Sequence, residues 1–145
     1  KTTTHRQKEK KMVKVLSLFD GISCGKLAFN RAGITVERYV AYEIDKYAIQ
    51  ISEKNYSDAI ERHGHVIDAD FTPYKGFDFV IGGSPCQGFS FAGKQLNFDV
   101  PRSSLFFEFE RAVKEVQPRY FLLENVAMKK RIPKYHIRKA GSRTD

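Results

Sequence analysis

The chain has 145 residues, of which 41% are hydrophobic, so its size and composition fit one folded domain with a buried core. Its apolar runs are too short to span a bilayer, and its polar, basic N-terminus carries no secretory signal. Cys24 and Cys86 each lack a second cysteine at metal-ligand spacing. This pattern disfavours a zinc site or a disulfide framework and favours a reducing cytoplasm.

The net charge of +8 is concentrated in the two ends of the chain. Residues 1–14 carry +5 and residues 129–145 carry +6, whereas residues 15–128 carry −3. Such terminal runs are usually solvated tails, although they also attract phosphates without sequence preference. Charge alone therefore does not predict DNA binding. We expect a disordered extension at 1–12, a folded domain at 13–128 and a basic tail at 129–145.

Strand and helix patterns alternate from residue 13 onward. Short apolar or β-branched runs predict strands at 13–19, 38–42, 64–67, 77–81 and 120–123. Helical spacing predicts helices at 26–32, at 46–55 with Asp45 as N-cap, and at 103–116. In the second helix, Tyr47, Ala48 and Ile51 are expected to share one face. The alternation predicts an α/β fold with a mostly parallel sheet and helices on both faces.

A turn bounded by glycines, Phe-Asp-Gly-Ile-Ser-Cys-Gly at 19–25, follows the first strand. Glycines there let the backbone approach a ligand, as in dinucleotide-binding folds, although they also occur in ordinary loops. Glu43 ends the second strand 22 positions after Gly21, where a carboxylate would hold ribose hydroxyls. Asp70 is a candidate acceptor for an adenine amino group, with Asp68 as its close competitor, and either is otherwise a turn or cap aspartate. The combination favours an adenosyl ligand.

Two further motifs follow the fourth and fifth predicted strands. Gly-Gly-Ser-Pro-Cys-Gln-Gly at 82–88 places Cys86 just past a strand, where open α/β sheets bind ligands. A cysteine there is either a passive small residue or a nucleophile whose proton is withdrawn. Glu124, in Glu-Asn-Val at 124–126, would face the same crevice. It is either a solvated acid or a proton donor to a ring that Cys86 attacks.

Together these motifs resemble those of the cytosine-5 DNA methyltransferases. Phe-Asp-Gly-x-x-x-Gly, Glu43, an aspartate near position 70, Ser-Pro-Cys-Gln and Glu-Asn-Val occur in that family's order, and the resemblance covers residues 13–130. Residues 82–93 and 103–109 look especially like phage and bacterial members and like the animal de novo DNA methyltransferases. The resemblance implies a Rossmann-like methyltransferase fold in the cytoplasm of a bacterial or phage-infected cell.

The resemblance also implies a site for the cofactor S-adenosyl-L-methionine. Phe19 would stack on the adenine, the backbone of residues 20–25 would wrap the amino-acid end, and Glu43 would hold the ribose. Asp70 and Phe71 would flank the adenine. The full set of implied cofactor residues is Phe19, Asp20, Gly21, Ile22, Ser23, Cys24, Gly25, Glu43, Ile44, Asp70 and Phe71.

For the reaction, the resemblance implies that Cys86 attacks carbon 6 of a cytosine flipped out of double-stranded DNA. Glu124 would bond to ring nitrogen 3 and the amino group, Pro85 would shape the loop, and Asn125 would position Glu124 or Pro85. Carbon 5 would then take the methyl group, and loss of its proton would release Cys86. No metal and no membrane are implied. The implied DNA contacts in the loop after the nucleophile are Gln87, Ser90, Lys94 and Arg102.

The sequence departs from the family pattern after residue 130. It has no Gln-x-Arg-x-Arg motif, no target-recognition region and no C-terminal segment that returns to complete the sheet. We therefore expect a catalytic domain truncated at its C-terminus, with little activity alone, and either a complementary C-terminal half or a restriction endonuclease as a partner. Two alternatives stay open: a non-catalytic S-adenosylmethionine-binding fragment and a relative of the tRNA cytosine methyltransferases.

Overall fold

A computed structural model of the protein describes residues 12–67, 69–84 and 104–125. The extension predicted at 1–12 lies outside these residues except for Met12, and the tail predicted at 129–145 lies wholly outside them. Within the described ranges, none of the helices has the length and apolar character needed to cross a membrane.

Five parallel strands form one sheet in the order β3-β2-β1-β4-β5. The order reverses between β1 and β4: the strand that follows β1 in the chain lies on one side of this pair, and the strand that follows β4 lies on the other. Such a switch point leaves a crevice in open α/β sheets, and ligands bind there. The strands are β1 Val13–Leu18, β2 Val36–Tyr42, β3 Glu61–His63, β4 Phe79–Gly83 and β5 Tyr120–Glu124.

Three helices connect the strands in the described residues: α1 Cys24–Arg31, α2 Lys46–Tyr56 and α3 Ser104–Val116. Asp45 caps α2 as predicted, because its Oδ1 accepts hydrogen bonds from the N–H groups of Tyr47 at 2.8 Å and Ala48 at 3.2 Å. Two short 3₁₀ helices, Ser57–Ala59 and Thr72–Tyr74, follow α2 and β3.

The core lies on both faces of the sheet, because side chains alternate along each strand. One face packs under α1 and α2 and contains Val13, Val15, Tyr39, Ala41 and Ile81 with Phe29. The other face packs under α3 and contains Leu16, Leu18, Val40, Tyr42 and Val80 with Phe109, Ala112 and Val116. The predicted parallel sheet with helices on both faces is confirmed.

One local prediction was wrong. The third strand is Glu61–His63 and not 64–67, because residues 61–63 are the ones that pair with residues 40–42 of β2, while Val66 is buried in the loop that follows. In α2, Tyr47 and Ile51 are 65% and 46% exposed, so the face they share points outward, and the buried residue is Ser52.

Candidate active site

A cavity of about 230 Å³ opens at the switch point, between the carboxyl ends of β1, β2 and β4. Three predicted cofactor residues, Phe19, Glu43 and Ile44, line it. The cavity also reaches Gly83 at the end of β4. Sequence reasoning missed the remaining lining residues, which are Tyr42, Gly64, His65, Val66 and Leu105.

The position of these missed residues carries a usable signal. Tyr42 ends β2, and Gly64 directly follows β3, so both lie where ligands bind in such sheets. The error in the third strand hid this relation for Gly64. Leu105 carries no such signal, because it stands one residue into α3 beyond residues 85–103, which lie outside the described residues.

The Glu43 carboxylate is held by three backbone N–H groups. Its Oε2 accepts from Gly21 at 2.7 Å, and its Oε1 accepts from Ile44 at 2.8 Å and from Asp45 at 2.8 Å. A carboxylate has about four acceptor positions, so one on Oε2 remains among the described contacts. One ligand hydroxyl can donate to this remaining position on Oε2. A diol that donated to both carboxylate oxygens would need one of the two N–H groups on Oε1 to be released first.

The turn between β1 and α1 is built from left-handed backbone. Phe19, Gly21 and Ser23 have φ angles of 56°, 60° and 67°. Glycine adopts this conformation freely, but Phe19 and Ser23 require support from their surroundings. Ile22 and Cys24 lie exposed beside this turn.

Asp20 supplies part of that support. Its Oδ1 accepts from the hydroxyls of Ser17 at 2.6 Å and Tyr39 at 2.7 Å, and its Oδ2 accepts from the hydroxyl of Ser23. Burial and the neighbouring Asp20 charge raise the pKa of Tyr39 well above its ordinary value, so its phenol remains a donor. The Asp20 side chain is therefore used within the turn, and a ligand there would meet backbone.

Gly25 permits close packing of α1 against the sheet. A Cβ at this position would lie 2.5 Å from Cδ1 of Ile81 and 2.7 Å from the hydroxyl of Tyr39. The glycine at 25 thus serves the helix–sheet contact, whereas the glycine at 21 serves the turn.

Asp70 and Phe71 lie apart from the cavity that Phe19 and Glu43 share. Oδ1 of Asp70 accepts from the Thr72 hydroxyl at 2.6 Å and the Thr72 N–H at 2.9 Å, and these bonds lower the pKa of Asp70. The Phe71 ring has no exposed surface and packs edge-on against Tyr42, 5.4 Å between ring centroids. Because the ring is part of the core, the implied direct contact of Phe71 with adenine is not available in this conformation.

Glu124 ends β5, which lies on the other side of the switch point from β2, the strand that Glu43 follows. It pairs in register with Gly83, and a Cβ on Gly83 would lie only 2.8 Å from Glu124 Oε2. The Glu124 carboxylate thus sits over the residue that also lines the cavity. Asn125 Nδ2 donates to the Ser84 hydroxyl at 3.3 Å, which ties the end of β5 to the residue after β4.

The other predicted site residues lie outside the described residues. They are Asp68, Pro85, Cys86, Gln87, Ser90, Lys94 and Arg102.

Comparison with known proteins agrees with the sequence motifs. Residues 13–139 match the family described as C-5 cytosine-specific DNA methylase. The type II methyltransferase M1.ScrFI of Lactococcus lactis subsp. cremoris is 43% identical over 113 residues, which cover 78% of this chain and 28% of that protein. The orphan methyltransferase M.Rho11sI of Bacillus phage rho11s is 41% identical over 79% of this chain and 23% of its own length.

A solved structure shows the same fold. The Dnmt2 methyltransferase of S. pombe matches with a TM-score of 0.62 at 24% identity, over 79% of this chain and 36% of that one. The predicted Rossmann-like methyltransferase fold is confirmed, and so is the resemblance to bacterial and phage proteins. The chain spans less than a third of the length of the curated relatives reported above.

Proposed function

We propose that this chain carries the cofactor-binding and nucleophile-bearing part of an enzyme that methylates cytosine at carbon 5 in double-stranded DNA. The premise is its family, because the chain belongs to the C-5 cytosine-specific DNA methylases. The observation that carries this proposal is the single crevice bordered by Glu43 and Gly83, with Glu124 directly over Gly83. Bacterial and phage relatives support a cytoplasmic location.

The cavity fits S-adenosylmethionine by the chemistry of its walls. The Phe19 ring and Leu105 offer apolar surface to a purine, and Glu43 Oε2 offers an acceptor to a ribose hydroxyl. The backbone of residues 21–25 would receive the amino-acid end. When bound, the cofactor supplies the methyl group for carbon 5 of cytosine.

The proposed reaction uses Cys86 and Glu124. The Cys86 thiolate forms a bond to carbon 6 of a flipped cytosine, and the displaced electron pair moves into the ring. Glu124 shares a proton with ring nitrogen 3, which stabilises that charge and makes carbon 5 nucleophilic. After methyl transfer, a base removes the proton on carbon 5, and the electron pair returns to expel the Cys86 thiolate.

The chain corresponds to about a quarter of its relatives, so we propose that the isolated chain is inactive or partial. A complementary C-terminal portion would supply DNA recognition, and a restriction endonuclease is a further candidate partner. The type II names of the bacterial relatives support the latter. A non-catalytic S-adenosylmethionine-binding fragment is the second candidate, because three of the proposed cofactor residues line the 230 Å³ cavity.

Titration calorimetry with S-adenosylmethionine tests the cofactor assignment. We expect measurable binding by the chain and loss of that binding in Glu43→Ala. Glu37→Ala is the matched control, because Glu37 lies exposed on β2, the strand that Glu43 directly follows. Circular dichroism melts of both variants separate loss of fold from loss of contact. Equal binding by the folded Glu43→Ala and Glu37→Ala variants would contradict the ribose assignment.

Covalent trapping tests the chemistry and separates the two candidates. The chain, completed with the C-terminal portion of a relative, should form an adduct with DNA containing 5-fluorocytosine, because fluorine cannot leave as a proton does. Cys86→Ser should eliminate the adduct, Cys24→Ser should keep it, and Glu124→Gln should slow its formation about 10²–10⁴-fold. An adduct that survives Cys86→Ser would refute the proposed nucleophile.

A further inference from the structure

We propose that Ser52 and Arg62 are positioning residues that hold the turn at 19–23 in the shape needed for the amino-acid end of the cofactor. The inference rests on the proposed function, because it concerns the same ligand. Neither residue lines the 230 Å³ cavity, and both act through Ser23. A continuous chain of hydrogen bonds carries the argument.

This series of hydrogen bonds runs from a guanidinium to a carboxylate through two buried hydroxyls. Arg62 Nη2 donates to Ser52 Oγ at 3.0 Å, Ser52 Oγ is hydrogen-bonded to Ser23 Oγ, and Ser23 Oγ donates to Asp20 Oδ2. Ser52 is 3% exposed and Ser23 is fully buried. Buried hydroxyls of this kind are costly unless they are paired, so each link depends on the next.

The chemistry of Arg62 and Asp20, at the two ends of this series of hydrogen bonds, determines which atom is the donor in each bond. Arginine only donates, and an ionised aspartate only accepts. The Ser23 proton therefore points to Asp20, which leaves Ser23 Oγ to accept from Ser52. Ser52 in turn accepts from Arg62. Because each hydroxyl has a single proton, removal of either serine hydroxyl breaks the connection between Arg62 and Asp20.

Arg62 is fixed independently of the turn. Its Nη1 donates to the carbonyls of Ser57 at 2.7 Å and Ile60 at 3.2 Å, just after α2. Its backbone lies in β3 and pairs with Ala41 of β2. The guanidinium is thus an anchor, and Ser52 transmits its position to the turn.

The position of the turn decides which part of a ligand is affected. Ser23 adopts φ 67°, which a serine seldom holds without support, and it immediately precedes α1. Its conformation sets the direction of the backbone at residues 21–25. Two of the three N–H groups that hold Glu43 belong to Ile44 and Asp45, outside the turn, and the third belongs to Gly21 within it. Loss of the Ser52 link, which acts on the turn through Ser23, should therefore disturb the amino-acid end of the site more than the nucleoside end.

Affinities for two ligands distinguish this role from general damage. S-adenosylhomocysteine contains the amino-acid end, and adenosine lacks it. In Ser52→Ala we expect affinity for S-adenosylhomocysteine to fall about tenfold, as for loss of one buried hydrogen bond, and affinity for adenosine to change less than about twofold. Ser57→Ala is the control, because its side chain is exposed and its carbonyl contact with Arg62 is retained.

A double-mutant cycle tests the chain itself. Arg62→Met should lower the affinity for S-adenosylhomocysteine relative to that for adenosine, as Ser52→Ala does. The double variant should lose no more selectivity than Ser52→Ala alone, because both changes break one connection. The inference would be overturned if the losses of selectivity in the two single variants added up in the double variant. It would also be overturned if Ser52→Ala lowered the affinity for both ligands equally or left the selectivity unchanged. A wild-type chain that binds neither ligand would instead overturn the proposed function and the inference together.

Discussion

Arg111 in α3 fastens the loop between β3 and the second 3₁₀ helix to the rest of the domain. Its Nη1 donates to the carbonyl of Ala69 at 2.8 Å, and its Nη2 donates to the carbonyl of Val66 at 3.0 Å. The guanidinium carbon lies 4.5 Å from the centroid of the Phe71 ring. The Val66 carbonyl also accepts from the Ala69 N–H at 3.3 Å. Arg111→Met therefore removes the Arg111 donor from both carbonyls and leaves that of Val66 with this weaker local bond.

The expected cost of Arg111→Met is about 2–4 kcal/mol in the free energy of unfolding. A hydrogen bond from a charged donor contributes about 1.5–3 kcal/mol, and there are two. The Arg111 side chain is 32% exposed, so water replaces part of this contribution. Its ion pairs with Glu108 and Glu115 add only about 0.3–0.5 kcal/mol each. Methionine retains some packing over Phe71.

Urea unfolding followed by circular dichroism measures this cost, and Lys114→Met is the matched control. Lys114 pairs with Glu110 at 2.7 Å on the same helix but is 71% exposed, so its loss should cost about 0.5 kcal/mol or less. Arg111→Lys should recover less than half of the loss, because lysine lacks the fork that reaches two carbonyls. Similar losses of unfolding free energy in Arg111→Met and Lys114→Met would refute the role of Arg111 in holding this loop.

Three more outcomes follow from the β4–β5 end of the sheet. Gly82→Ala should destabilise the fold by about 2 kcal/mol or more in urea, since its Cβ would lie 2.6 Å from the backbone oxygen of Leu18. Gly83→Ala should leave the melting temperature nearly unchanged but slow adduct formation in the completed enzyme, because its Cβ displaces only the Glu124 carboxylate. The chain should self-associate through β5, where Phe121 is 61% exposed, and Phe121→Lys should shift its sedimentation toward monomer. A wild-type chain that sediments as a monomer at all concentrations would contradict this.

The parts of the site that depend on strand ends were predictable from the sequence. Phe19 and Glu43 each stand at or just after the end of a strand, and an apolar run identifies a strand locally. Contacts made by long side chains between distant elements were not predictable. The apolar character of Val66 suggested a strand, but its carbonyl bonds to Arg111, which lies 45 positions away. Spacing within a short segment carries no information about such a partner.

Glu43 has a structural role besides its proposed contact with a ligand, because its carboxylate accepts hydrogen bonds from three backbone N–H groups. The carboxylate joins the turn after β1 to the start of α2, and this junction would be needed even with no ligand in the cavity. A relative that did not bind the proposed cofactor would still need Glu43 for this junction. Phe19 is a better discriminator: it lines the cavity and only partly packs on the core, and its backbone stays in a conformation that bulky residues rarely adopt. Among relatives, replacement of the residue at position 19 would therefore indicate loss of the proposed ligand more directly than replacement of the one at position 43.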